Sequence, residues 1–181
     1  EIREGTENGK LWAQGTGAVG RHYKVNRTPV IKNQSISAYD PRVIEVTGLS
    51  MMLTAQGADH TTGNAAKYEC SGKGVKELVA VSMDAQVICA TADSLGLCLF
   101  GRSVTNTNVE MIVGLINDAL GTDLEPEFFY EIGKETLLLE DEFNKGAGFT
   151  EIDDELPEFF YEEALSPSNQ VARFHAHEVN E

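Results

Sequence analysis

The sequence predicts an all-α, multihelical fold, and three observations carry that expectation. Val75 to Ala92 is apolar nearly all round, with Leu78, Val81, Val87, Ile88 and Cys89 inside it, as a buried helix requires. Asn108 to Leu120 sets Val109, Ile112, Val113, Ile116 and Leu120 on one face and stops at Gly121. No two alternating apolar runs are joined by Asn-Gly or Asp-Gly, and Asn8-Gly9 lacks alternating flanks.

In chain order, Thr6 to about Tyr23 reads as one helix. Thr6 is its cap, Leu11, Trp12, Val19 and Tyr23 lie near one face, and several glycines weaken it. Val25 to Ala38 reads as an extended connection, since Pro29 biases Thr28 away from the helical region. Asp40-Pro41 has the form of a helix start, Asp40 as N-cap and Pro41 in the first turn, with the helix running to about Gln56. Gly57 to Asn64 is a polar loop bounded by glycines. After the Val75 and Asn108 helices, Glu125-Pro126-Glu127 opens another that runs to about Asn144 and ends at Gly146-Ala147-Gly148. Leu156 to Tyr161 adds a short turn, and the tail from Pro167 is weakly specified. A soft boundary at residues 101–107 separates a first segment, 1–100, from a second, 101–181, the two packing as one unit. No internal repeat is present.

Composition narrows the function classes. The chain has 181 residues and a formal net charge of −15, which repels phosphate backbones and argues against nucleic acid and anionic membranes. Seven of the thirteen residues from Glu151 to Glu163 are acidic, either a solvated face or a patch for a basic partner. No apolar run approaches the ~20 residues of a transmembrane helix, and Glu1-Ile2-Arg3-Glu4 lacks the form of a signal peptide. The absence of a starting Met is consistent with a trimmed piece. Cys70, Cys89 and Cys98 contain no Cys-x-x-Cys pair, so cysteines of this chain alone cannot complete a four-ligand zinc or iron–sulfur site.

The residues with chemical potential are few. In Asp93-Ser94-Leu95-Gly96-Leu97-Cys98, a carboxylate, a glycine and a thiol fall within six residues. Asp93 could cap a helix beginning at Ser94, leaving backbone amides for a polar ligand. Gly96 could let a flat group approach the backbone. Cys98 is either a soft metal ligand or a buried structural thiol. His60 is a proton carrier or a packed surface histidine. Tyr39 offers a phenol to a carbonyl or packs as a staple beside the Asp40 cap, and Asp40 and Arg42 either pair or cap. His175-Ala176-His177 is a weak metal pattern near a terminus. Gly15-Thr16-Gly17-Ala18-Val19-Gly20 fits Gly-x-Gly-x-x-Gly, but it lies in a helical pattern rather than after a strand.

Five blocks in order resemble the C-terminal part of the tungsten-containing aldehyde ferredoxin oxidoreductases: Ala38-Tyr39-Asp40-Pro41-Arg42, Gly57-Ala58-Asp59-His60, Asp93 to Cys98, Phe143-Asn144 with Gly148-Phe149, and Asp154-Glu155-Leu156-Pro157. They span roughly residues 5 to 170. The resemblance implies helical C-terminal domains and, in the full-length enzyme, a tungsten bis-pterin cofactor (tungstopterin) beside a 4Fe–4S cluster. It implies that Asp93, Gly96 and Leu97 hold a pterin, that Cys98 is the fourth cluster ligand, and that His60 and Tyr39 line the substrate pocket. Thr62 departs from the lysine of some relatives, and Asp141 from the arginine of many.

The reaction so implied is aldehyde to carboxylic acid, with electrons passing through the cluster to ferredoxin in the cytoplasm. The family's upstream Cys-x-x-Cys-x-x-x-Cys set and N-terminal cofactor domain do not occur in this sequence. The expectation is therefore a portion of a larger enzyme, inactive alone, with neither tungsten nor cluster in the isolated chain. A related oxidoreductase acting on an aromatic thioester and a non-catalytic helical interaction module are the alternatives. An exposed apolar surface is expected around Asp93 to Phe100.

Overall fold

The computed structural model describes residues 1–180, and its architecture is the expected multihelical one. Two short helices, α1 (Glu7–Trp12) and α2 (Thr16–Tyr23), replace the single helix predicted over residues 6–23. Thr6 caps α1 as expected, its hydroxyl accepting from the Gly9 amide at 3.1 Å. Gly15 then turns to φ +86, which no continuous helix accommodates, and α2 restarts in a new direction.

The extended connection contains a small hairpin that the sequence reading missed, β1 (Val30–Ile31) paired antiparallel with β2 (Gln34–Ser35). Its turn residues Lys32 and Asn33 both have positive φ, 47° and 63°. That geometry is the one Asn-Gly supplies cheaply; here Lys-Asn adopts it because the Lys32 ammonium is anchored to the Met52 carbonyl and to Asp154.

The helix predicted from Asp40 begins later. Asp40 is not its cap: its carboxylate accepts the Arg42 amide at 2.9 Å and grips the Arg42 guanidinium through both oxygens, closing a turn. Ile44 breaks from helical dihedrals, and α3 runs Glu45–Leu53. The Gly57–Asn64 stretch is a loop, as expected. Next come α4 (Val75–Ser94), a 3₁₀ turn at Leu99–Gly101, α5 (Arg102–Thr105), α6 (Val109–Leu120) and α7 (Phe128–Ala147). A 3₁₀ turn at Glu151–Asp154 and short helices α8 (Phe159–Glu162) and α9 (Ala176–Val179) complete the chain. No single helix among the described residues is long and apolar enough to cross a membrane.

α4 is the centre of the molecule, packed between α3 and α7. On the α3 side the contact is polar and fully buried: Ser50 Oγ lies 2.7 Å from Ser82 Oγ and 2.9 Å from the Gly63 carbonyl, and Gln86 donates to Ser82 at 3.0 Å. On the α7 side the Thr91 hydroxyl lies 2.6 Å from the Phe129 carbonyl. Val46, Leu49, Met51, Met52 and Leu78 form a core together with Leu156, Phe160, Ala172, Ala176 and Val179. The chain thus folds back, residues 156–179 closing the core begun by α3. A second, smaller core joins Ile112 and Val113 of α6 to Phe129 of α7, with Leu95 and Leu97 against it.

Candidate cofactor and catalytic site

The Asp93–Cys98 segment sits at the end of α4, not the start of a new helix. The helical hydrogen bonds run on through Ser94. Gly96 then adopts φ +67, the Leu97 amide reaches the Ala92 carbonyl at 2.8 Å and the Gly96 amide the Asp93 carbonyl at 3.0 Å. Those two bonds form a Schellman C-cap, in which the left-handed residue is normally glycine. The expectation of Asp93 as an N-cap is therefore overturned. A carboxylate in the last turn opposes the helix dipole and gains nothing from it, so its presence at the surface is not explained by helix stability. A Cβ at Gly96 would meet nothing within 4 Å, so the backbone here faces open space.

Past the cap the chain is extended at Cys98, which is exposed and whose thiol has no hydrogen-bond partner among the described residues. Leu95, Leu97 and Leu99 are half-buried and Phe100 is 94% exposed. The expected apolar surface is present. Cys70 is buried and donates to the Tyr68 carbonyl at 3.4 Å, whereas Cys89 donates to the Thr61 carbonyl at 3.3 Å.

Tyr39 and His60, distant in sequence, are brought together: their rings stack at 5.4 Å between centroids with 19° between planes. Tyr39 packs on the main core while His60 is exposed. Asp59 shapes the loop that carries His60. Its carboxylate accepts the Thr61 amide (2.9 Å), the Thr61 hydroxyl (2.6 Å) and the Thr62 hydroxyl (2.8 Å). Burial pushes the Asp59 carboxyl up, but those bonds and the His60 charge outweigh it and hold it below the usual range. Thr62 is buried and committed to this clamp.

α4 connects the two groups. Cys89 fastens the His60 loop through Thr61, and Asp93 lies four residues on, about 6 Å along the same helical face. α7 supplies a wall that the sequence reading did not foresee. Its Thr136 hydroxyl meets Ser94 Oγ at 3.1 Å. One turn later Glu140 is half-buried, and burial first and Asp93 second push its carboxyl above the usual range. The available signal was an excess of apolar residues on this helix, Leu137, Leu138, Leu139 and Phe143, too many for one buried stripe.

Residues 1–180 match the family model described as aldehyde ferredoxin oxidoreductase, domains 2 and 3. The chain belongs to this family. The aldehyde ferredoxin oxidoreductases are oxidoreductases. The chain is 29% identical over 144 residues to a tungsten-containing aldehyde ferredoxin oxidoreductase of Pyrococcus horikoshii, and 30% identical over 144 residues to one of Pyrococcus abyssi. Each alignment covers 75% of this chain and 23% of the relative, so the chain spans less than a quarter of the length of these curated relatives.

As a member of the aldehyde ferredoxin oxidoreductase family the chain can be tested for fit to a cluster and a pterin. Among the described residues no three His, Cys, Asp or Glu side chains are grouped to hold a metal. Cys98 nevertheless suits a single ligand of a shared cluster, being an exposed, uncommitted thiol beside an open glycine turn. Asp93, exposed at the same turn, suits the N–H edge of a pterin.

Proposed function

We propose that this chain is the C-terminal portion of a tungstopterin aldehyde ferredoxin oxidoreductase, which oxidises an aldehyde to a carboxylic acid and passes electrons one at a time through a 4Fe–4S cluster to ferredoxin. The observation that carries the reading is the Schellman turn at Gly96, which presents Asp93 and the bare Cys98 thiol together at one helix end. When bound, the metal and pterins supply the two-electron chemistry, and the protein supplies position and environment. Asp93 would accept from pterin N–H groups, Gly96 and Leu97 would offer open backbone to the pterin, and Cys98 would provide a thiolate to iron. Tyr39 holds the His60 ring by stacking and offers its phenol to the substrate carbonyl. His60 gains or loses the proton at the reacting oxygen, a role suited to imidazole near neutral pH.

The remaining cluster ligands and the pocket's other walls belong to the rest of the protein. Full-length enzyme purified without oxygen is expected to contain tungsten and about four irons per chain, a cluster stoichiometry, and to reduce ferredoxin with an aldehyde. Absence of both metals would defeat the reading in favour of a helical interaction module. Metals present with activity only toward aromatic thioesters would transfer it to a different substrate class.

A further inference from the structure

Beside the Schellman turn lies an open groove of about 380 Å³ between α7 and the Ala55–Gln56 segment. Two of its lining segments lead to the candidate site. On one, Thr136 touches Ser94, next to Asp93. The other, Ala55 and Gln56, directly precedes the loop that carries His60. Adjoining it, with Ala55, Glu140 and Asn144 shared between the two, lies a larger cavity of about 670 Å³ that Gln86 and Val87 also line. Glu140 lines both. It has no hydrogen bond or ion pair among the described residues, and its flanks Leu139 and Phe143 are apolar. A carboxyl left unpaired at the junction of two cavities, beside a second carboxylate, is an arrangement that costs stability and serves proton handling.

Oxidation of an aldehyde with water yields a carboxylate, three protons and two electrons. In the proposed enzyme the electrons would leave through iron, and the protons would need a route of their own. Resting on the function proposed above, we propose that Glu140 is a proton-relay residue: its carboxylate takes up a proton released at the site and gives it to water in the larger cavity. Burial and then the Asp93 charge raise its affinity for that proton. The other charged residues lining the larger cavity are Lys134, Asp141 and Lys145 on α7, Lys32 on the hairpin, and Glu151 and Asp154 beyond α7. Lys145 is held by Asp141 and Lys32 by Asp154, so those cations are committed elsewhere.

The test uses the full-length holoenzyme with Glu140→Gln and Glu140→Asp. Glu140→Gln should lower kcat roughly tenfold or more, within the range for losing a proton-transfer group. It should leave KM for aldehyde unchanged and enlarge the solvent deuterium isotope effect. The wild-type rate should fall as pH drops through the Glu140 pKa, because the relay must be ionised to accept; Glu140→Gln should lose that limb and Glu140→Asp should restore most of the rate. Independently of turnover, an infrared titration should show a carboxyl band titrating above an ordinary glutamate and missing in Glu140→Gln. Normal tungsten and iron with an unaltered rate, isotope effect and pH profile in Glu140→Gln would overturn the relay alone. A protein without either metal would overturn the parent reading, and Glu140 titrating as an ordinary carboxyl would overturn the relay whichever metals are present.

Discussion

Gly133 of α7 rests directly on the carbonyl of Val87 in α4: a Cβ added at Gly133 would overlap both that oxygen and the Thr91 hydroxyl. The missing side chain is what lets the two longest helices close on each other, and the Thr91–Phe129 hydrogen bond depends on the same approach. Because α4 carries Cys89 and the Asp93–Cys98 turn, and α7 carries Thr136 and Glu140, this contact sets the spacing across the candidate site.

Gly133→Ala should therefore destabilise the fold by ~1–3 kcal/mol, the usual cost of overfilling a packed contact. Backbone and the short Thr91 side chain cannot swing aside. Urea unfolding of the variant should show a lower midpoint with an unchanged slope. A wild-type midpoint would mean that the helices separate freely and that their spacing is not fixed here.

Gly96→Ala tests the helix cap. A Cβ in the left-handed region costs about 1–2 kcal/mol through its own backbone, and the space around Gly96 is open, so packing adds nothing. Asn tolerates this conformation better than Ala, so Gly96→Asn should lose less. In the full-length enzyme both should make iron more easily removed by chelator, in the same order, because Cys98 follows the cap directly. Equal stability for all three proteins would show that the turn is not strained by a side chain.

Much of this architecture was legible because strong local signals and tertiary packing agree. The apolar run at Val75, the amphipathic run ending in Gly121, and the Glu125-Pro126 start each became a helix near its expected bounds. The failures share a cause: a side chain answered to a distant partner rather than to its neighbours. Asp40 reads from sequence as a cap or as a partner of Arg42, and the pair wins because Arg42 is itself buried by the Glu163 carbonyl at 2.7 Å and by the Phe160 ring, over 100 residues away. Lys32-Asn33 becomes a tight turn because Asp154 holds Lys32. Asp93 was assigned to the wrong end of a helix, since an Asp-x-x-Gly pattern suits a start and a stop alike until the hydrogen bonds are seen. His60 and Tyr39 were nameable from their blocks, but their stacking is tertiary. Glu140 carried no motif, and only the two cavities beside it mark it out.

Acid should loosen the C-terminal return of the chain through Glu155. This carboxylate accepts the Ala176 amide at 3.0 Å, faces His175 Nδ1 at 3.2 Å, and takes the Tyr161 hydroxyl. Burial pushes its pKa up, but those bonds and the His175 charge outweigh burial and leave it lowered. A lowered folded pKa means that the stabilisation is complete above the unfolded value, about 4.3, and is lost as pH falls through the folded value below it. Amide protection in residues 172–179, taken relative to the intrinsic exchange rate at each pH, should thus fall below about pH 4.3, and Glu155→Gln should show low protection already at neutral pH. Protection in that segment that ignores both pH and substitution would contradict the clamp.

Two substitutions in the intact enzyme should separate the roles of Cys98 and His60. Cys98 is exposed and uncommitted, so Cys98→Ser removes no packing and breaks no hydrogen bond among the described residues. Its effect should fall on iron, because a hydroxyl is a poor replacement for thiolate there. The cluster should become labile or change its spectrum, while tungsten, held by dithiolene sulfurs in the proposed cofactor, should fall less. His60 is exposed and touches Tyr39 by stacking alone, so His60→Ala should leave the fold and both metals in place. Turnover should nevertheless drop roughly 10²–10⁴-fold, the range for a lost proton-transfer group. Tyr39→Phe offers a finer control: it keeps the stack and removes only the phenol, so its rate loss should be smaller than that of His60→Ala. Iron and tungsten analysis beside aldehyde-oxidation kinetics on the three variants decides the assignment. An unaltered cluster spectrum in Cys98→Ser would remove Cys98 from the ligand set. Full turnover in His60→Ala would leave the Tyr39–His60 stack as a packing feature of the loop that Asp59 builds.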